Sequence, residues 1–200
     1  MLNFYIVRHG QTQWNTERRF QGWLDSPLTE TGIQRAEALK LNLQPIDFDA
    51  YFTSPSPRAA KTMALIAKDP SFVRQDIRIR EIMLGNWQGM THDDIEALYP
   101  EQLALFYNQP ELFKLHEAET YHDVYARVVS FIDSIKAEFD HEYEEKNVLI
   151  VTHGVTLMIF QLIFDGADVS ELTRYSVAKN AQVHHYRYEN EAFTCINNET

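Results

Sequence analysis

The sequence predicts an α/β fold in which a mostly parallel central sheet lies between two layers of helices. Short apolar, β-branched runs alternate along the chain with longer segments whose apolar residues recur at helical spacing. The most aliphatic run, residues 148–151, is typical of a central parallel strand that is buried on both faces. The 200 residues are 44% hydrophobic and 24% charged, as in ordinary globular domains, so we expect a single domain over residues 1–200.

Six segments have the composition of strands, being short and rich in apolar, β-branched or aromatic side chains. They cover residues 2–7, 50–53, 77–80, 148–151, 183–188 and 193–196. The third segment alternates apolar and charged residues, which also favours a strand. A turn near residues 189–191 would join the last two strands.

Between these strands, apolar residues recur at the spacing of helices. The predicted helices cover residues 30–43, 57–68, 120–145 and 154–164, and residues 8–29 predict a loop. Thr29 and Ser56 are suitable N-caps for the first two helices. Thr91 followed by Asp94 approximates a capping box and begins another helix. The segment from about 90 to 120 interrupts the alternation and predicts a helical insertion.

Composition excludes several classes of function. With a net charge of −11, the chain is a poor general binder of nucleic acid, because that affinity comes from cations meeting phosphates. No apolar run reaches the roughly 18 residues of a membrane span, and no signal peptide is evident, so we expect a cytoplasmic protein without membrane contact. The single cysteine, Cys195, cannot form a disulfide framework or a thiolate zinc site. Residues 1–61 carry seven cations and six anions, a balance that suits a small anion but that ordinary scatter also explains.

Chemistry-bearing side chains follow four of the predicted strands at the point where each strand ends. The carboxyl ends of parallel strands meet at one edge of a sheet, where α/β proteins bind ligands. Taken singly, each residue can be an ordinary polar side chain beside a strand, but together they indicate a site. These residues are Arg8 and His9 after the first strand, Arg58 after the second, Glu81 after the third and His153 after the fourth.

Two histidines, two arginines and a carboxylate fit phosphoryl transfer. Guanidinium groups match phosphate oxygens, a neutral imidazole can hold a phosphoryl group covalently, and a carboxyl group can protonate the leaving oxygen. The arginines can neutralise phosphoryl charge without magnesium, and the spacing is not that of metal ligands. The residues therefore predict transfer through a phosphohistidine, with no metal and no cofactor.

Four ordered sequence blocks resemble the histidine phosphatase superfamily, in its phosphoglycerate mutase-like branch. The first block begins Val-Arg-His-Gly-Gln-Thr at residue 7 and continues through Asn15 to Gly32. The others cover residues 54–62, 81–89 and 151–154. Four blocks in the right order are far more specific than one tripeptide. The resemblance spans about residues 1–185 and implies a three-layer α/β/α fold.

The resemblance also implies a role for each matching residue. His9 would be the phosphorylated nucleophile, Glu81 the general acid and later the base, and His153 a third catalytic residue that contacts phosphoryl oxygens. Arg18 and Arg19 lie nearby and could meet a second anionic group, although solvated surface explains them equally well. The remaining phosphate-binding or entrance residues would be Arg8, Asn15, Gln21, Gly22, Arg58 and Gly154.

Departures from the mutase pattern favour a phosphatase. Mutases of this family carry Asn-Glu-Arg-His-Tyr-Gly around the acid, whereas residues 80–89 resemble the phosphatase branch. Gln88 stands where many relatives have a second glutamate, and residues 117–120 replace the Gly-Gly-Glu-Ser that relatives often carry at the pocket rim. We therefore expect a metal-independent phosphomonoesterase acting on a small phosphorylated metabolite. The alternatives are a phosphoglycerate mutase and an inactive phospho-ligand binding protein.

Three tryptophans, Trp14, Trp23 and Trp87, are candidates for substrate contact, but core packing is the favoured interpretation for each. A homodimer is compatible with the sequence, which names neither the physiological substrate nor the oligomeric state.

Overall fold

The computed structural model describes residues 1–139 and 144–197. Within them the strands are β1 (Leu2–Arg8), β2 (Ala50–Thr53), β3 (Val73–Gln75), β4 (Lys146–Thr152), β5 (Val183–Glu189) and β6 (Ala192–Asn197). They form one sheet in the order β3-β2-β4-β1-β5-β6. Strands β1 to β4 pair in parallel, whereas β5 runs antiparallel to both β1 and β6. The predicted mostly parallel α/β sheet is confirmed.

Helices cover both faces of this sheet. They are α1 (Gln13–Thr16), α2 (Glu30–Leu43), α3 (Pro57–Ile66), α4 (His92–Leu98), α5 (Pro100–Asn108), α6 (Tyr121–Phe139) and α7 (Gly154–Phe164). Buried residues of α2 and α3 share one apolar cluster with Val7 and Val151 of the sheet. Those of α6 and α7 share another with Ile6 and Ile150, whose side chains point to the opposite face. This arrangement confirms the predicted three layers.

The predicted helical insertion is also present, as α4 and α5. Thr91 forms the capping box with Asp94, and the buried Leu103 and Phe106 join α5 to the core cluster that contains α6. The long predicted helix is observed as α6, but residues 144 and 145, which were predicted to end it, are not helical. Residues 140–143 lie outside the described part of the chain. Of the helices within the described ranges, none combines the length and hydropathy that a membrane span requires.

The third predicted strand, residues 77–80, is wrong. Residues Ile77–Ile79 form a 3-10 helix, and the strand at this edge of the sheet, β3, lies earlier in the chain. In a strand Ile77 and Ile79 would face the same side, but Ile79 is buried whereas Ile77 is 69% exposed. Asp76 caps the 3-10 helix by accepting a hydrogen bond of 2.8 Å from the main-chain N–H two residues later. A local side-chain cap therefore competes successfully with the sheet ladder.

Candidate active site

The predicted site residues meet at the carboxyl edge of the parallel strands. A cleft of about 340 Å³ opens there, and eight of the nine candidates line it. The ninth, His153, lies behind the cleft wall, fully buried, with its ring centre 5.2 Å from that of His9. The eight lining residues are Arg8, His9, Asn15, Gln21, Gly22, Arg58, Glu81 and Gly154.

His9 is held as a neutral imidazole with an unprotonated Nε2. Its Nδ1 lies 2.8 Å from the main-chain oxygen of Gly10, and a carbonyl oxygen can only accept, so Nδ1 carries the proton. Nε2 then accepts a hydrogen bond of 3.3 Å from Nε of Arg58. Burial, helped by the charges of Arg58 and Arg8, lowers the pKa of His9 well below 6.5. Asn180 steadies the strand end by donating from Nδ2 to the main-chain oxygen of His9 at 2.8 Å.

Arg58 is buried, and the loop before α2 holds its guanidinium group. Nη1 donates to the main-chain oxygen of Leu24 at 2.7 Å and to the Asp25 carboxylate at 2.9 Å. Nη2 donates to the main-chain oxygen of Gly22 at 2.8 Å. Asp25 also accepts the main-chain N–H of Arg58 at 3.2 Å. Burial lowers the pKa of Arg58 and the Asp25 hydrogen bond opposes this, so the arginine is a fixed cation that directs its Nε at His9.

Among the nine candidate residues, two buried side-chain nitrogens have no hydrogen-bond partner in the described part of the chain: Nε of Arg8 and Nδ1 of His153. Each of these side chains also has an engaged nitrogen: Arg8 Nη1 donates to the Ala178 carbonyl at 2.7 Å, and His153 Nε2 lies 2.7 Å from Ser54 Oγ. A buried polar atom without a partner costs about 1–3 kcal/mol, so such atoms are rare unless a ligand satisfies them. Both atoms suit the recognition of an anion beside His9.

Glu81 lines the cleft, and its carboxyl group lies against main-chain N–H groups in the first turn of α7. Its Oε1 accepts the main-chain N–H groups of Ile82 at 3.0 Å and Thr156 at 3.2 Å, and its Oε2 accepts that of Val155 at 3.2 Å. A Cβ at Gly154 would lie 3.6 Å from Glu81 Oε2 and 3.6 Å from Arg8 Nε. The glycine therefore keeps open the space between the carboxylate and the cation.

Glu81 reaches this position although the strand predicted before it does not exist. Arg127 of α6 donates from Nη1 to the main-chain oxygens of Arg78 and Arg80, both at 2.7 Å, and from Nη2 to that of Glu81 at 3.1 Å. Glu119 holds Arg127 in turn, through bonds of 2.9 and 3.0 Å. The network satisfies carbonyl groups that a sheet would otherwise pair. No local sequence pattern pointed to Arg127.

The three loop residues among the candidates, Asn15, Gln21 and Gly22, shape the loop beside the cleft. Asn15 Oδ1 accepts the main-chain N–H of Thr12 at 3.0 Å, and Gln21 Nε2 donates to Thr12 Oγ1 at 2.9 Å. Gly22 has φ of +53°, a left-handed conformation that favours glycine, and a Cβ there would collide with the side-chain amide of Gln88. The structure thus gives each of these residues a structural task, and their contacts with phosphate stay predictions.

Apolar and aromatic residues also line the cleft, and of these the sequence singled out only Trp14 as a candidate for substrate contact. Phe106 and Tyr107 of α5 and Val177 from the loop before β5 have the pattern of ordinary core residues, so no local signal distinguishes them. The apolar and histidine lining consists of Trp14, Phe20, Ile82, Leu84, His92, Phe106, Tyr107, Val155 and Val177.

The tryptophans, and the two arginines Arg18 and Arg19 that could meet a second anionic group, differ in their exposure and contacts. Trp87 is fully buried, as expected, whereas Trp23 is 45% exposed, so core packing is wrong for it. Arg18 and Arg19 both line the cleft. Arg19 donates to Glu17 at 2.9 Å and to a main-chain oxygen, while the Arg18 side chain is 70% exposed at the mouth.

We expect the protein to lose stability as the pH falls below about 6.5. The pKa values of His9 and His153 are lowered by burial well below 6.5, the usual value, which they regain in the unfolded chain. At a pH between the folded and the unfolded pKa values, the unfolded chain binds more protons than the folded protein. Each histidine therefore lowers the free energy of unfolding by up to about 1.4 kcal/mol for each pH unit by which the pH falls. Burial also lowers the pKa of His185, which acts in the same direction.

Urea unfolding at about pH 7.5 and about pH 5.5 measures this dependence. The variant His153→Gln, which removes one titrating group, should show a shallower loss of stability between the two pH values. An unfolding free energy that does not change over this interval would contradict the expectation.

Comparison with known proteins identifies the family to which the chain belongs. A family model described as "Histidine phosphatase superfamily (branch 1)" matches residues 4–199. The chain is 30% identical over 173 residues to phosphoserine phosphatase 1 of Hydrogenobacter thermophilus, covering 86% of this chain and 80% of that protein. It is 28% identical to a 2,3-bisphosphoglycerate-dependent phosphoglycerate mutase of Cytophaga hutchinsonii, with coverage of 88% and 83%.

Among solved structures, the YhfR protein of Bacillus stearothermophilus matches with a TM-score of 0.91 at 35% identity, covering 98% of this chain and 96% of that one. The chain therefore belongs to the histidine phosphatase superfamily.

Proposed function

We propose that the protein is a phosphomonoesterase that transfers the phosphoryl group of a small phosphorylated metabolite to His9 and then to water. The observation that carries this proposal is the neutral His9 Nε2 in a cleft that also contains two arginines, of which Arg58 is buried, and a carboxylate. Membership of the superfamily and a phosphatase among the relatives support the same conclusion.

In the first step, Nε2 of His9 attacks phosphorus while the bond from phosphorus to the alcohol oxygen breaks. Glu81 gives its proton to that oxygen, so the product leaves as an alcohol. Arg8 Nε and Arg58 supply positive charge to the non-bridging oxygens, which is most of what phosphoryl transfer requires. The Ser54 hydroxyl lies 2.7 Å from Nε2 of His153 and donates a hydrogen bond to it. The ring proton of His153 is then on Nδ1, which can donate a hydrogen bond to a phosphoryl oxygen.

In the second step, water attacks the phosphohistidine and Glu81, now ionised, accepts a proton from this water. The bond between phosphorus and Nε2 breaks, inorganic phosphate leaves, and His9 returns to its neutral form. The hydrogen bond from Nδ1 to the Gly10 carbonyl is kept throughout, which holds the ring in a single orientation.

The proposed mechanism uses no metal ion, so hydrolysis of p-nitrophenyl phosphate should survive exhaustive chelation with less than about a twofold change in rate. In the described part of the chain, His92, Asp93 and Glu96 bring their ligand atoms within 4.8 Å of one another near the cleft mouth. The variant His92→Ala removes one of these three potential metal ligands, and so tests whether a metal ion bound there affects the rate. Loss of activity on chelation, with rescue by magnesium or zinc in the parent but not in His92→Ala, would contradict the mechanism.

A mutase is the second candidate, since one relative at 28% identity is a phosphoglycerate mutase. A panel of phosphoglycerates, phosphoamino acids, sugar phosphates and nucleotides distinguishes the two, with release of inorganic phosphate as the readout for hydrolysis. Isomerisation of a phosphoglycerate without phosphate release would favour the mutase. Turnover of any substrate in the panel excludes an inactive binding protein.

A further inference from the structure

The segment Gly22, Trp23, Leu24 and Asp25, called here the 22–25 loop, touches both halves of the active site. Three of its four residues hold Arg58, through the carbonyl oxygens of Gly22 and Leu24 and the carboxylate of Asp25. These bonds are 2.7 to 2.9 Å long. One side of the loop is therefore fixed to the phosphate-binding arginine.

Trp23, the remaining residue of the loop, faces the proposed acid. Its Nε1 donates to the main-chain oxygen of Glu81 at 2.9 Å, and the Arg80 guanidinium carbon lies 4.9 Å from the centre of its ring. The same Glu81 oxygen also accepts from Arg127 at 3.1 Å. The side chains of Trp23 and Arg127 thus together fix the main chain at the residue that carries the proposed acid.

Gln88 fixes the loop between these two contacts. Its Oε1 accepts the main-chain N–H of Trp23 at 2.7 Å and lies directly against Gly22, where any side chain would collide with it. The residue that departs from the glutamate of many relatives is therefore an anchor of the loop in this chain.

Trp23 is 45% exposed, so core packing does not explain why a tryptophan occupies this position. We infer that Trp23 is a positioning residue, which sets the distance between Glu81 and the phosphoryl site that Arg58 organises. The inference rests on the proposed function, in which Glu81 protonates the leaving oxygen. A small displacement of an acid weakens its proton transfer but leaves the charge stabilisation by the arginines in place.

The test is Trp23→Phe, which removes the indole N–H and keeps an aromatic ring beside Arg80. We expect kcat/KM for an alkyl phosphate to fall about threefold to tenfold, since one hydrogen bond to the acid's main chain is lost, and kcat/KM for p-nitrophenyl phosphate to fall less than about twofold. The control is Phe72→Leu, an exposed aromatic residue beside β3 that should change neither value. Equal losses for both substrates would overturn the inference.

A double-mutant cycle with Glu81→Gln makes the assignment specific. If Trp23 acts through the acid, Trp23→Phe has less than about a twofold effect on the alkyl phosphate once Glu81→Gln is present. An undiminished effect in that background would show that Trp23 has a different role. Absence of turnover by the parent protein on every substrate would instead reject the proposed function.

Gln88 gives a second measurement that does not alter the tryptophan. Gln88→Leu removes the acceptor for the Trp23 N–H and should reproduce the selective loss on alkyl phosphates, whereas Gln88→Glu keeps an acceptor and should rescue it. A Gln88→Leu variant with parental leaving-group dependence would overturn the inference.

Discussion

Replacement of His9 by alanine should lower kcat/KM by roughly 10⁴-fold or more on every substrate, since no other group can accept the phosphoryl group in its place. The imidazole is neutral, its Nε2 is unprotonated, and Arg58 lies 3.3 Å from that nitrogen. Steady-state rates on p-nitrophenyl phosphate and on an alkyl phosphate measure the loss. Residual activity within about a hundredfold of the parent would mean that water attacks phosphorus directly.

The same residue should carry the covalent label. Phosphohistidine is labile in acid and stable in alkali, so a radioactive phosphoryl group should remain on the protein after an alkaline quench and be lost after an acid quench. His122→Ala, which changes an exposed histidine of α6, is the matched control and should label like the parent. A label that survives acid, or that persists in His9→Ala, contradicts the assignment.

Glu81→Gln and Arg58→Ala should differ in how their effects depend on the leaving group. An alkoxide needs a proton in the transition state, so Glu81→Gln should lower kcat/KM for an alkyl phosphate by roughly 10²–10⁴-fold. The p-nitrophenolate ion leaves without a proton, so Glu81→Gln should lower kcat/KM for p-nitrophenyl phosphate by less than about tenfold. Arg58→Ala removes charge stabilisation that every substrate shares, and should cost roughly 10²–10³-fold on both.

The comparison uses kcat/KM, which reports the steps up to the first irreversible one, because Glu81 is also the proposed base in dephosphorylation. If Glu81→Gln harms good and poor leaving groups equally, another carboxylate is the acid. Glu119 would then be a poor substitute, since both its oxygens are bonded to Arg127.

The strands and the main helices could be predicted from the sequence because their signals are local. Residues 148–151 are aliphatic throughout and lie in β4, and Thr29 caps α2 as its position suggests. The segment 77–80 was predicted wrongly because two interactions compete with the sheet there. Asp76 caps the 3-10 helix locally, and Arg127 binds two carbonyl groups of the segment from a position 47 to 49 residues away. Alternation of apolar and charged residues cannot reveal such a competitor.

The polar half of the active site could be predicted because topology brings the strand ends together. The order of strands along the chain is enough to place Arg8, His9 and Arg58 at one edge of the sheet, without knowledge of side-chain packing. The apolar half could not, since Phe106, Tyr107 and Val177 come from segments outside the sheet and resemble core residues. Trp23 was misjudged for a related reason: its contact with Glu81 crosses 58 residues of sequence.

The loop that leads into β5 has a consequence for how the enzyme matures. Arg8 donates to the carbonyl of Ala178, and Asn180 donates to that of His9, so contacts across 170 and 171 residues complete the end of β1. A ribosome that has synthesised β1 through α7 has already made all nine candidate residues, but not the groups that fix two of them. The candidate site is therefore completed late in translation, since the growing chain carries Arg8 and His9 for most of its synthesis without two of the hydrogen bonds that position them.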